Sequence, residues 1–197
     1  DHSCHQLYPK ALALLPKVQQ CTATSQATLP AYDHKLFTRE FEIFTQWLLD
    51  VHLGYRLTPE QHAMLNDTFN VLADNFFEQP KVGVHRDFHS RNLMMLQNDE
   101  IGVIDFQDAV IGPITYDAVS LLRDCYRRWP DEWVSDWLAA FQQQFYPQYP
   151  LAKFTRWFDL TGMQRHIKAS GIFARLHHRD GKSDYLDDIP RTLGYLV

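Results

Sequence analysis

The sequence lacks the usual signs of several common chemistries. Its eight glycines are scattered and form neither GxGxxG nor GxxxxGK[ST], so no glycine-rich loop is available to wrap a phosphate chain. The three cysteines, Cys4, Cys21 and Cys125, show no CxxC spacing. That excludes a zinc ribbon or a disulfide framework and suggests thiols in a reducing compartment. No apolar run approaches the roughly 18 residues of a helical membrane span, and the opening residues do not read as a secretion signal, so a cytoplasmic location is expected. Positive charge is not in excess: the formal net charge of −5 supplies no footprint for nucleic acid.

What is present is apolar and aromatic. With 197 residues, 45% hydrophobic and 14% aromatic, the chain suits a single domain, 1–197, with a substantial buried core. Apolar spacing predicts a helix over Tyr8–Gln20 on Leu12, Leu14, Leu15 and Val18, with Pro9 in its first turn, and then a small polar loop over Thr22–Thr28. Asp33 is placed to cap a helix whose buried face carries Leu36, Phe37, Phe41, Phe44, Leu48 and Leu49. Thr58, Pro59 and Glu60 mark the start of a third helix running toward Phe77. Short strands are expected at Val82–Val84, Leu93–Leu96 and Ile101–Ile104, the last two joined by a turn at Asn98-Asp99. Helical patterns resume over Tyr116–Trp129, Asp131–Phe145, Leu151 to about His177, and Tyr185–Val197. The fold class is therefore mainly α with a small β-hairpin (α+β).

That hairpin carries the chemistry. Val84-His85-Arg86-Asp87-Phe88-His89-Ser90-Arg91-Asn92-Leu93 is followed by Ile104-Asp105-Phe106. Asn92 ends the loop entering one predicted strand and Asp105 leaves the next, so two oxygen donors are held close together, with Asp87 at the start of the same loop. Phosphoryl transfer asks mainly for positioning and charge neutralisation, and three such groups suffice for a catalytic core. In that reading Asp87 orients an incoming hydroxyl and accepts its proton late, while Asn92 and Asp105 hold Mg2+ on the phosphates of ATP. A zinc hydrolase is the rival, because His85, Asp87 and His89 alternate and would share one face of a strand. Arg91 beside them is a poor neighbour for such a cation. His85 is better placed in the core, orienting the loop by hydrogen bonding, with His89 a candidate substrate contact or a support behind the contacting residues.

These residues resemble the aminoglycoside phosphotransferase and choline kinase-like family. The likeness rests on His85 to Leu93 and on Gly102-Val103-Ile104-Asp105-Phe106-Gln107-Asp108. Within that family, Gly112-Pro113-Ile114-Thr115-Tyr116-Asp117, Ser120-Leu121-Leu122-Arg123-Asp124-Cys125-Tyr126 and Gly162-Met163-Gln164-Arg165-His166-Ile167-Lys168 are similar to the amino-sugar kinases of bacterial peptidoglycan recycling. The resemblance spans nearly the whole chain as the C-terminal lobe of a protein-kinase-like fold. It implies ATP, Mg2+ and phosphorylation of the anomeric hydroxyl of N-acetylmuramate or N-acetylglucosamine. It also implies that Asp117 is a buried acid steadying the catalytic loop, although an N-cap of the following helix is an equal reading. Gln107 and Asp108 either face the acceptor or lie in solvent.

Charge bears on the acceptor. A polycationic drug calls for clustered carboxylates, whereas a sugar bearing a lactyl carboxylate calls for a cation. Arg165, His166 and Lys168 fall within one helical turn, and Arg165 and Lys168 share a face. They are candidate acceptor contacts, or else a solvated helix face. Arg39 and Glu40 are weaker candidates for a pocket rim. Trp129, Trp133, Trp137 and Trp157 could stack on a sugar but have the spacing of core residues.

A kinase also needs a glycine-rich roof over the phosphates and a strand Lys paired with a helix Glu. Neither is found before Asp87, so the N-terminal ATP-roof lobe is expected to be absent from these residues, which alone should catalyse little. Alternatives are an aminoglycoside, choline or homoserine-type kinase, or a non-catalytic single-lobe binding module. A protein kinase fits less well, since Phe106-Gln107 replaces Phe-Gly and no Ala-Pro-Glu segment follows.

Overall fold

In the computed structural model, which describes residues 3–25 and 27–196, helix α1 spans Cys4–Gln20. It starts before Tyr8 because the Ser3 carbonyl accepts from Leu7 N at 3.0 Å, so Pro9 lies beyond the first turn rather than within it. Its buried residues Cys4, Tyr8, Ala11, Leu12, Leu15 and Gln19 recur at helical spacing. The chain forms two compact units, one of residues 1–31 and 79–159, the other of residues 32–78 and 160–197. Among the described residues no helix is long and apolar enough to cross a membrane.

In the first unit, β1 (Lys81–Val84) pairs antiparallel with β4 (Val110–Pro113), Val84 opposite Val110. Ile111 N also donates to Pro30 O at 2.8 Å, adding a strand-like contact at Ala31. A second antiparallel pair joins β2 (Leu93–Met95) to β3 (Ile101–Val103). The small β portion is thus two two-stranded sheets instead of one hairpin. β4 escaped the sequence reading because Val-Ile-Gly-Pro is short and ends on a proline, a poor strand signal. Gly83 lets β1 lie against the end of α1, since a Cβ there would collide with the Cys21 carbonyl oxygen.

Helix α4 (Tyr116–Leu122) is buried throughout and ends well before Trp129. The backbone turns out of the helix at Arg123, which has φ −116° and ψ 56°. That turn delivers the Asp124 carboxylate to Ser90 N and Tyr126 N, so a side-chain capture overrides the apolar spacing. α5 (Asp131–Phe145) has the expected bounds, and α6 (Leu151–Asp180) begins in this unit. Leu12, Leu15, Phe88, Leu121, Leu122, Trp137, Phe141, Phe154 and Trp157 form the core that these helices share. Trp137 and Trp157 therefore belong to the core, while Trp129 and Trp133 pack half-buried against it. Cys4 and Cys125 are buried, Cys21 is exposed, and all three are free thiols.

In the second unit, Asp33 Oδ1 accepts Leu36 N at 2.8 Å and caps α2 (His34–Ile43). The helix widens to π geometry over Phe44–His52, closed by Leu53 N on Leu48 O at 3.0 Å. Gly171 of α6 meets this switch: a Cβ there would lie 2.6 Å from Phe44 Cα and 2.9 Å from Ile43 C. α3 (Pro59–Glu78) opens on a capping box, with Gln61 N on Thr58 Oγ1 at 3.3 Å and Thr58 N on Gln61 Oε1 at 2.9 Å. The single helix expected from Tyr185 is instead a 3-10 segment, Ser183–Asp188, followed by α7 (Ile189–Leu193). Pro190 cannot continue a ladder from Tyr185 but suits a new first turn. Val197 lies outside the described residues.

Candidate active site

The site grows from the end of β1. Past Val84 the chain enters a loop in which Arg86 has φ 73°, a left-handed conformation costing a non-glycine residue about 1–2 kcal/mol. Asp117, 1% exposed in the first turn of α4, holds it there: Oδ2 accepts His85 N at 2.7 Å and Oδ1 accepts Arg86 N at 3.0 Å. Ser120 Oγ donates to Arg86 O at 3.4 Å. The N-cap position of α4 belongs to Thr115, so Asp117 grips the loop instead of capping the helix.

Farther along, Ser90–Asn92 makes one 3-10 turn, closed by Asn92 N on His89 O at 3.0 Å. Asp124, 0% exposed, accepts Ser90 N at 2.9 Å and Tyr126 N at 2.8 Å. The Arg91 guanidinium lies 3.6 Å above the Tyr126 ring, and His89 meets that ring edge-on at 5.1 Å. Asp124 and Tyr126 are not among the residues the sequence singles out, because its periodicity predicts continuous helix through them, whereas the helix ends at Leu122.

The turn presents Asn92. Its Nδ2 donates to the Asp87 carbonyl at 3.0 Å, and its own carbonyl accepts Ile104 N at 3.1 Å. The next residue, Asp105, is exposed and left-handed at φ 70°. Asn92 and Asp105 are therefore neighbours at the open end of the β2–β3 pair, beside the half-buried Asp87. Two left-handed non-glycine residues, Arg86 and Asp105, flank this small region, which is where strain held by surrounding structure is commonly found.

His85 is buried with neither ring nitrogen closing a full hydrogen bond. Its backbone N, rather than its ring, makes the bond that orients the loop, and the ring packs edge-on against Phe88 at 6.0 Å. Burial pushes the His85 pKa down, opposed by Asp87, the Ile104 backbone and Asp105. Both carboxylates thus act on the same imidazole. The zinc arrangement needed His85, Asp87 and His89 on a strand, but β1 stops at Val84 and His89 faces Tyr126.

Gln107 and Asp108 are exposed in the loop after Asp105, and the Asp108 carbonyl accepts Arg86 Nη1 at 3.4 Å. Arg165, His166 and Lys168 belong to the second unit and are buried, so they are not a solvated face. Lys168 Nζ lies 3.3 Å from Glu40 Oε1, and Glu40 Oε2 takes Gln164 Nε2 at 2.9 Å and the Tyr32 hydroxyl. His166 stacks on Tyr195 at 4.5 Å. The first unit therefore gathers His85, Asp87, Asn92, Asp105 and Asp117, while the three cationic candidates lie in the second unit.

The oxygens fit a hard cation. With the Asn92 amide nitrogen bound to the Asp87 carbonyl, its Oδ1 is the Asn92 side-chain atom that could hold a cation, and the Asp105 carboxylate could add an anionic oxygen. One carboxylate and one neutral oxygen suit Mg2+, which retains positions for phosphate oxygens and water.

Residues 3–154 match the model of the phosphotransferase enzyme family. The N-acetylmuramate/N-acetylglucosamine kinase of Neisseria meningitidis serogroup B is 43% identical over 192 residues, which cover 95% of this chain and 57% of that protein. The protein of that name in Pseudomonas putida is 42% identical over 195 residues, 96% of this chain and 57% of that protein. The chain thus spans little more than half the length of these curated relatives. Among solved structures, an ethanolamine kinase of Plasmodium vivax superposes with a TM-score of 0.73 at 12% identity, over 98% of this chain and 60% of that one. An ADP-bound aminoglycoside phosphotransferase, APH(2'')-Ib, superposes with a TM-score of 0.57 at 18% identity, over 96% and 62%. These two likenesses speak to the fold, which is protein-kinase-like, mostly helical with small antiparallel pairs.

Proposed function

The chain belongs to the phosphotransferase enzyme family, and from that premise we propose that it is the acceptor- and metal-binding part of an ATP-dependent amino-sugar kinase. The acceptor we assign is the anomeric hydroxyl of N-acetylmuramate or N-acetylglucosamine, in peptidoglycan recycling. The observation that carries the chemistry is the Ile104 N to Asn92 O bond, which sets Asp105 beside Asn92 and both beside Asp87. The choice of acceptor is supported by relatives above 40% identity that bear that name.

In this reading the Asp87 carboxylate orients the sugar hydroxyl and takes its proton as the new P–O bond forms and the bond to the ADP oxygen breaks. Asn92 and Asp105 hold Mg2+, which when bound neutralises charge on the phosphates. Asp117 keeps the loop in its left-handed turn, and the buried His85 ring packs against Phe88. Gln107 and Asp108 are the proposed acceptor contacts, being exposed and next to Asp105. Lys168 is not assigned to an anionic sugar group, because Glu40 already matches its charge.

An acceptor panel with the full-length protein tests the proposal. ATP consumption should be highest with the two amino sugars and low with aminoglycosides, choline and homoserine. Preference for any of the latter would replace the acceptor while leaving the phosphotransfer site in place.

A further inference from the structure

We infer that Asp124 and Tyr126 form a positioning anchor for Asn92, acting at the opposite end of the loop from Asp117. The inference deepens the proposed function, since it rests on Asn92 as a metal-holding residue. Asp124 takes no part in the proposed chemistry, yet its carboxylate is wholly buried. Such burial is costly unless the charge is met by hydrogen bonds, and two backbone N–H groups meet it: Ser90 and Tyr126. The chain abandons a helical pattern at Arg123 to bring this about.

The geometry divides the loop between two buried acids. Asp117 fixes residues 85 and 86, the approach to Asp87. Asp124 fixes Ser90, while Tyr126 receives the Arg91 guanidinium on its face and the His89 ring at its edge. Residues 89, 90 and 91 are thus each held by the 124–126 segment. The 3-10 turn of Ser90–Asn92 closes with Asn92 N on His89 O, so the position of Asn92 follows from that of residues 89 to 91. Buried Phe88 ties the middle of the loop to the core. The Asp124 anchor therefore governs where Asn92 Oδ1 lies, and its loss should register as weakened metal binding.

The test compares wild type, Asp124→Asn, Tyr126→Leu and Arg91→Met in the full-length protein. It reads Mn2+ affinity in the presence of ATP by electron paramagnetic resonance, beside melting temperature, Mg2+ half-saturation and acceptor KM. Outer groups that orient metal ligands typically change metal affinity by roughly 10–100-fold. Asp124→Asn and Tyr126→Leu should weaken Mn2+ binding toward that range with acceptor KM nearly unchanged, and surface-exposed Arg91→Met should weaken it less. A merely structural role would lower the melting temperature and leave Mn2+ affinity of the folded protein intact, which would overturn the inference. If Asp124→Asn does not fold, Tyr126→Leu and Arg91→Met decide it by the same criterion. Wild type that binds no Mn2+ with ATP would sink the metal reading itself, whereas wild-type binding with unaltered variants sinks only the anchor.

Discussion

At the scale of single residues, Asp87 and Asp105 are both acids near His85, but they have different work in the proposed reaction. Asp87→Asn should lower turnover by roughly 10²–10⁴-fold, the usual worth of a positioned general base, with little change in metal–nucleotide affinity. Asp105→Asn should instead raise the Mg2+ concentration needed for half-maximal rate, and steady-state kinetics with Mg2+ titration separates the two. His85 supplies a pH prediction. Its pKa is depressed by burial, so the unfolded chain binds the proton more readily, and stability is full above the unfolded value near 6.5 and falls as pH drops below it. Urea unfolding at pH 7.5 and 5.5 should show that loss, and His85→Phe should make it shallower; an unchanged slope would contradict the assignment. The juxtaposition of Asp87, Asn92 and Asp105 is legible in the sequence because their spacing is local to one loop and one strand pair. That of Asp124 is not, because its partner Ser90 is 34 residues away and no local pattern encodes that bond.

At the scale of elements, strong periodicity and caps gave reliable expectations, and tertiary capture explains the departures. Asp33 and Thr58 start their helices through the side-chain bonds that their residue types favour. α4 stops early because Asp124 has a better partner in the loop than in solvent, and β4 exists because β1 needs a neighbour. The π segment after Ile43 carries no sequence signature, but Gly171 marks the place where backbone meets backbone. Gly171→Ala should therefore destabilise the protein by about 1–3 kcal/mol, in line with overpacked sites, read as a lower melting temperature. A neutral substitution would mean that α6 and the α-to-π switch can separate without cost.

At the scale of the molecule, the fold class and family could be read from one motif and its neighbours, whereas the division into two compact units could not. The buried Glu40, Gln164 and Lys168 network shows why: Lys168 looked like a ligand for an anion in sequence, but its partner sits on another helix. Charge spacing along one helix cannot reveal a counter-ion contributed by a second. The chain spans 57% of the length of these two curated relatives, and the kinase activity is a proposal for the whole protein. The most direct test of the account is phosphorus NMR of the product formed by that protein from ATP and N-acetylmuramate or N-acetylglucosamine. The expected product is a phosphomonoester whose phosphorus couples to the anomeric proton of the sugar. Phosphate on another hydroxyl, or no phosphorylated sugar at all, would contradict it.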